Sequence, residues 1–122
     1  MASLLIVDDD KVILDALLEL FSEEHLCRTA GTAEDALQQL QLQDYDLVIT
    51  DLSMPGLSGE DLLGFVKKYR PRTPVFFISG LSDQQHARRL IKKGAFDYLL
   101  KPFRLEDIEE RVARAIEHRR RP

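Results

Sequence analysis

Five short apolar runs, each followed by a stretch whose apolar residues recur at the helical period, leave this chain few ways to fold. The runs fall at Leu4–Val7, Leu26–Ala30, Leu47–Thr50, Val75–Ile78 and Asp97–Leu100. The first, third and fourth are nearly continuous in Leu, Ile, Val and Phe, the pattern of strands covered on both faces. The second alternates and carries Arg28, which suits a sheet edge. Between the runs, Ile13, Leu14, Leu17, Leu20 and Phe21 keep a spacing near 3.6, as do Ala33, Ala36, Leu37 and Leu40. Leu62, Leu63, Phe65, Val66 and Tyr69 form a third stripe, and Leu105, Ile108, Val112 and Ile116 a last one. The segment from Asp83 to Lys93 offers only Ala87, Leu90 and Ile91, which predicts a lightly anchored helix.

Start and stop signals agree with these spans. Thr32 and Ser58 each precede an aspartate by three residues, Ser82 precedes Gln85 in the same way, and Asp10 stands directly before the first helical stripe. Lys92 and Lys93 followed by Gly94 put cations at the negative end of the fourth helix and a residue free to take positive φ just beyond it. Five βα units imply a parallel sheet with helices on both faces. The expected fold is α/β: a single-domain, doubly wound, five-stranded, flavodoxin-like (βα)5 sheet of strand order 2-1-3-4-5. One domain is expected over residues 1–122, with residues 119–122 a tail or the start of a linker and any further domain beyond Pro122.

Composition narrows the function classes. A chain of 122 residues buries roughly two thirds of its unfolded surface, enough for a core without staples. The single cysteine, Cys27, excludes a disulfide framework within the chain and a clustered zinc site, and reads as a small buried hydrophobe. A formal net charge of −4 argues against an intrinsic nucleic-acid binder. Leu4–Val7 is far too short for a signal peptide or a membrane span, so a soluble cytoplasmic domain is expected. His25 in a polar turn, and His86 and His118 on helices, read as solvated, without companions at ligand spacing. Arg88, Arg89, Lys92 and Lys93 read as a solvated basic face.

The polar residues at the strand ends carry the chemistry, because a sheet of this kind binds ligands beyond the carboxyl ends of its strands. The first strand runs into Asp8, Asp9 and Asp10, the third into Asp51, the fourth into Ser79 and the fifth into Lys101. With the first and third strands adjacent, the carboxylates converge. Two carboxylates about 4.5 Å apart repel by about 3–4 kcal/mol at an effective dielectric of 20, and three mutually close ones by roughly 10 kcal/mol. Either one is protonated or a cation neutralises them. Oxygen ligands suit a hard ion that keeps several waters, which is magnesium. With a serine hydroxyl and a lysine around the same carboxylate, the set makes a cradle for a phosphoryl group. Singly, each residue has a plainer reading: loop solvation for the aspartates, a helix cap for Asp10, a turn for Ser79-Gly80, a solvated turn for Lys101.

Together, Leu5-Ile6-Val7-Asp8-Asp9-Asp10, Asp51-Leu52-Ser53-Met54-Pro55-Gly56, Ser79-Gly80 and Gly94 through Phe103 resemble the receiver domain of bacterial response regulators, from Leu4 to about His118. The resemblance implies that Asp51 is the phosphoacceptor. It implies Asp9 as a direct magnesium ligand, Asp8 acting mainly through water, and the Ser53 carbonyl oxygen completing the set with Asp51. Lys101 would pair with the phosphoryl oxygens, Ser79 would hydrogen-bond one of them, and Tyr98 would be the aromatic that turns inward. The Lys101–Pro102 peptide is expected to be cis. The implied function is a phosphorylation-activated signalling switch, not an enzyme beyond its own phosphotransfer and dephosphorylation. A histidine kinase or phosphotransfer protein would donate the group. The shift would fall on the surface of the fourth helix, fifth strand and fifth helix, where acidic and basic patches can also pair across a symmetric homodimer. No direct nucleic-acid or membrane contact is expected.

Two positions bear on how long the modified state lasts. Ser53 and Leu81, each two residues past a site residue, carry no acid or amide to orient an attacking water, which leans toward a longer-lived phosphoryl state. Rival classes fare worse. A phosphohydrolase of the haloacid-dehalogenase type places a second aspartate where Ser53 stands, and a flavin site needs a phosphate loop where Asp8-Asp9 would repel phosphate. A degenerate binding module would not need Asp8, Asp9, Asp51, Ser79 and Lys101 all intact.

Overall fold

The computed structural model describes residues 1–80 and 84–121. Strands and helices alternate through them: β1 (Ser3–Val7), α1 (Lys11–Phe21), β2 (Leu26–Ala30), α2 (Ala33–Leu42), β3 (Leu47–Asp51), α3 (Gly59–Tyr69), β4 (Val75–Ser79), α4 (Gln84–Lys92), β5 (Asp97–Leu100) and α5 (Leu105–Arg120). All neighbouring strands are parallel, in the order β2-β1-β3-β4-β5. This is the expected doubly wound sheet, with the alternating, Arg28-bearing strand at one edge. Asp51 and Ser79 close their strands rather than open the loops that follow, one residue later than the apolar runs indicate.

Successive residues of a strand point to opposite faces, and here each face has its own core. Leu5, Val7, Val48, Val75 and Phe77 pack with Ala36 and Leu40 of α2 and Leu62, Leu63 and Val66 of α3. Leu4, Ile6, Leu47, Ile49, Phe76 and Ile78 pack with Leu17 and Phe21 of α1 and Ile108, Val112 and Ala115 of α5. Each buried aliphatic or aromatic side chain contributes about 1.5–3 kcal/mol relative to exposure. The stripes fray where helices end. Tyr69, the last residue of α3, and Leu105, the first of α5, are 57% and 50% exposed. Among the described side chains of α4 only Leu90 is fully buried and Ile91 is exposed, so this helix is anchored even more lightly than its stripe suggests.

The caps form as the spacing predicts. Ser58 and Asp61 make a reciprocal capping box, Thr32 Oγ1 accepts from the Asp35 N–H at 3.1 Å, and the Asp10 carboxylate accepts from the Val12 N–H at 2.9 Å. The box expected at Ser82 lies outside the described residues. Gly94 takes φ +109° just past α4, as the stop signal requires.

Two histidines depart from expectation. His25 is half-buried, not solvated: its Nδ1 accepts the Ala2 N–H at 3.2 Å, and burial holds its pKa below the ordinary value. His86 is also half-buried, whereas His118 is exposed as expected, its ring 5.1 Å from that of Phe96. Among the described residues no helix is long and apolar enough to cross a membrane.

Candidate functional site

Strand pairing alone assembles the acidic cluster. β1 and β3 pair in parallel from Leu4↔Leu47 to Val7↔Thr50, so Asp8 and Asp51 are the next residues of adjacent strands at the same end. One carboxylate oxygen from each of Asp8, Asp9 and Asp51 lies within 4.8 Å of the others. Asp8 and Asp51 are buried and Asp9 is exposed, which leaves the cluster open on one side. Asp10 takes no part in it, since its carboxylate caps α1.

Lys101 follows β5 and reaches the same cluster from beyond β4. Its Nζ stands 3.2 Å from Asp8 Oδ2 and 3.4 Å from Asp51 Oδ2. Its backbone N–H donates to the Ser79 carbonyl at 2.7 Å, and the Lys101–Pro102 peptide is cis, as expected. Burial pulls the Lys101 pKa down, but the Asp51 and Asp8 charges outweigh it, so the ammonium is held protonated. Burial pushes the Asp8 carboxyl up. The Asp10 N–H, donated to Asp8 Oδ1 at 2.9 Å, and Lys101 oppose that rise, and the charge of Asp51 adds to it. Three carboxylates thus face one ammonium, and negative charge is left uncompensated. Hard oxygen donors, open on the Asp9 side, fit a hard divalent cation.

The remaining site residues lie around this centre. Ser79 is buried at the end of β4, beside β3, which it neighbours through the Asp51↔Ile78 pairing. Tyr98 pairs with Phe77 across β4 and β5, is half-buried, and packs against the core on the α2–α3 side. Ser53 is exposed in the loop between β3 and α3, and Leu81 lies outside the described residues. A concavity of about 650 Å³ runs along the β2 edge past Cys27, Arg28 and Tyr45 and touches none of the site residues.

Gly59 was not singled out by the sequence. It opens α3, and its N–H donates to the Leu52 carbonyl at 2.9 Å. A Cβ there would stand 2.2 Å from the Asp51 carbonyl oxygen and 3.0 Å from Phe77 Cε1, so only glycine lets α3 abut the end of β3. Thr50 Oγ1 donates to that same Asp51 carbonyl at 2.9 Å. The available signal was a glycine directly after the Ser58 cap, a position where helix propensity gives it no advantage.

A parallel five-stranded sheet with an acidic cluster and a lysine at its carboxyl end defines a class, and comparison with known proteins identifies it. The family described as the response regulator receiver domain matches residues 4–113. The chain belongs to this family. It is 36% identical over 116 residues to the DNA-binding transcriptional regulator NtrC of Proteus hauseri, covering 94% of this chain and 24% of that protein. It is 35% identical over 114 residues to the response regulator protein FleR of Pseudomonas aeruginosa, again covering 24% of that protein. The chain therefore spans about a quarter of the length of these curated relatives. Among solved structures, a response regulator receiver domain protein from Clostridium thermocellum superposes with a TM-score of 0.89 at 33% identity, covering 96% of this chain and 95% of that one. The BeF3-activated DrrB receiver domain gives 0.89 at 33% identity, covering 96% and 98%.

Proposed function

We propose that this chain is a phosphorylation-activated switch in which Asp51 accepts a phosphoryl group. The observation that carries the reading is the placement of Lys101 Nζ within 3.4 Å of both buried carboxylates, with Asp9 completing an open acidic triad beside them. A carboxylate oxygen of Asp51 attacks phosphorus in line; the bond from phosphorus to a donor imidazole nitrogen, or to the oxygen of a small acyl phosphate, breaks, and the leaving group keeps its electron pair. The Lys101 ammonium meets charge that builds on the transferring oxygens, and its position is fixed before reaction. Asp9, Asp51 and the Ser53 carbonyl, with Asp8 through water, would hold magnesium, which supplies further charge neutralisation there.

The acyl phosphate adds about −1.5 to −2 charge beside Ser79, by analogy with other phosphorylated side chains. The Ser79 hydroxyl turns toward the new oxygens, and Tyr98 fills the space released. The surface of α4, β5 and α5 changes with it, to control a docked partner, a second copy of this chain or an output domain. The donor is a histidine kinase or phosphotransfer protein of the cytoplasm. The domain makes no direct contact with nucleic acid and catalyses only its own phosphotransfer and dephosphorylation. With Ser53 and Leu81 offering no group to orient water, the modified state is long-lived.

Incubation with acetyl phosphate and magnesium, read by intact mass, tests this. One added phosphoryl group is expected, absent in Asp51→Asn and absent without magnesium. Turnover of unrelated phosphate esters would point to a hydrolase instead, and no mass gain to a binding module.

A further inference from the structure

Among its described side chains α4 is anchored in the core by Leu90, and charge joins it to α3 at one point. Arg89 Nη2 stands 3.2 Å from Glu60 Oε1, and Lys93 Nζ pairs with Glu60 Oε2. The same Arg89 Nη2 lies 2.9 Å from His86 Nδ1, which must accept because a guanidinium only donates. Beside these contacts lies a solvent-open depression of about 280 Å³, lined by Leu52, Ser53, Met54, Ser58, Glu60 and His86. The basic face is thus not simply solvated: Arg89 and Lys93 reach across to the neighbouring helix, while Arg88 and Lys92 are exposed.

Glu60 is also close to the chemistry through the backbone. It follows Gly59, whose N–H bonds the Leu52 carbonyl and whose Cα abuts the carbonyl of Asp51. One carboxylate, on the first turn of the helix that leans on the phosphoacceptor strand, therefore pairs with Arg89 of α4 and with Lys93, the residue directly after that helix.

We propose that Glu60 is a restraint on the switch: by binding Arg89 and Lys93 it holds α4 in its unphosphorylated position, and sets how much of the phosphoryl group's binding energy is spent in moving that helix. This rests on Asp51 being the phosphoacceptor. Glu60 touches neither phosphoryl group nor metal, so it is a positioning residue. Removing its charge lowers the cost of reaching the active arrangement, and a ligand that prefers that arrangement then binds more tightly. The pairs are partly exposed, so the effect is moderate and screened by salt.

The test is a beryllofluoride titration of the intact chain with magnesium, followed by the amide signals of α4 and β5. Glu60→Gln is expected to lower the half-saturating concentration about threefold, the size of one or two partly exposed ion pairs. Arg89→Gln with Lys93→Gln is expected to do the same, and the triple variant no more than either. The gap between wild type and Glu60→Gln should close as ionic strength rises. An unchanged or higher half-saturation in Glu60→Gln, or effects that simply add in the triple variant, would overturn the restraint while leaving the phosphoacceptor reading intact. A wild-type chain that takes up no beryllofluoride would overturn both.

Discussion

Asp8 shows how much of this site is decided by single side chains. Its carboxylate is buried beside that of Asp51, with one ammonium shared between them. Because its pKa is raised in the fold, the native state binds more protons than the unfolded chain from the ordinary carboxylate range upward. Stability therefore falls as pH rises through that range and stays penalised at neutral pH. Without divalent ions, Asp8→Asn is expected to melt several degrees above wild type at pH 7, with the difference vanishing near pH 3; thermal melts at the two pH values check this. Gly59 works by the opposite logic, through what it lacks. Gly59→Ala must push a methyl group into the Asp51 carbonyl, and a loss of about 1–3 kcal/mol in denaturant unfolding is expected, with slower phosphorylation. The acids, Ser79 and Lys101 could be read from the sequence because strand ends are where such sheets present polar groups. Gly59 could not, since its role depends on a 2.2 Å approach that only folding creates.

Among the elements, the apolar patterns of β1, β3 and β4 translate directly into the two cores, while exposed Tyr69 and Leu105 mark where periodicity outruns contact at helix ends. His25 illustrates a different limit. Its turn is polar, but the Ala2 N–H it accepts belongs to the chain's first residues, a partner that sequence separation hides. The bond needs a neutral ring, and burial lowers the pKa, so the contribution is present above about pH 6.5 and lost as pH falls through the lower native value. His25→Asn is expected to flatten part of the stability loss between pH 7 and 5 in chemical unfolding; an unchanged slope would refute that. α4, with Leu90 as its buried anchor, is expected to exchange amide hydrogens faster than α1 or α5, as hydrogen-exchange mass spectrometry would show.

Taken whole, the molecule places a crowded negative site at one end of a stiff sheet and a loosely held helix at its side. An ion that binds only the folded cluster must stabilise it by mass action, about 2.7 kcal/mol at a hundredfold excess over its dissociation constant. Magnesium is therefore expected to raise the melting temperature of wild type and to do so far less in Asp9→Asn. Strand order, the acidic triad and the lysine contact followed from pattern and topology. The pairs from Glu60 to Arg89 and Lys93 did not, because strand order sets α3 beside α4 but not which side chains of the two elements meet. The most direct measurement is a crystal structure of the chain with magnesium and beryllofluoride. Beryllium should sit on an Asp51 carboxylate oxygen, with Lys101 Nζ and the Ser79 hydroxyl on its fluorines and the cation between Asp9, Asp51 and the Ser53 carbonyl. An unmodified Asp51, or a cation bound away from these three, would contradict it.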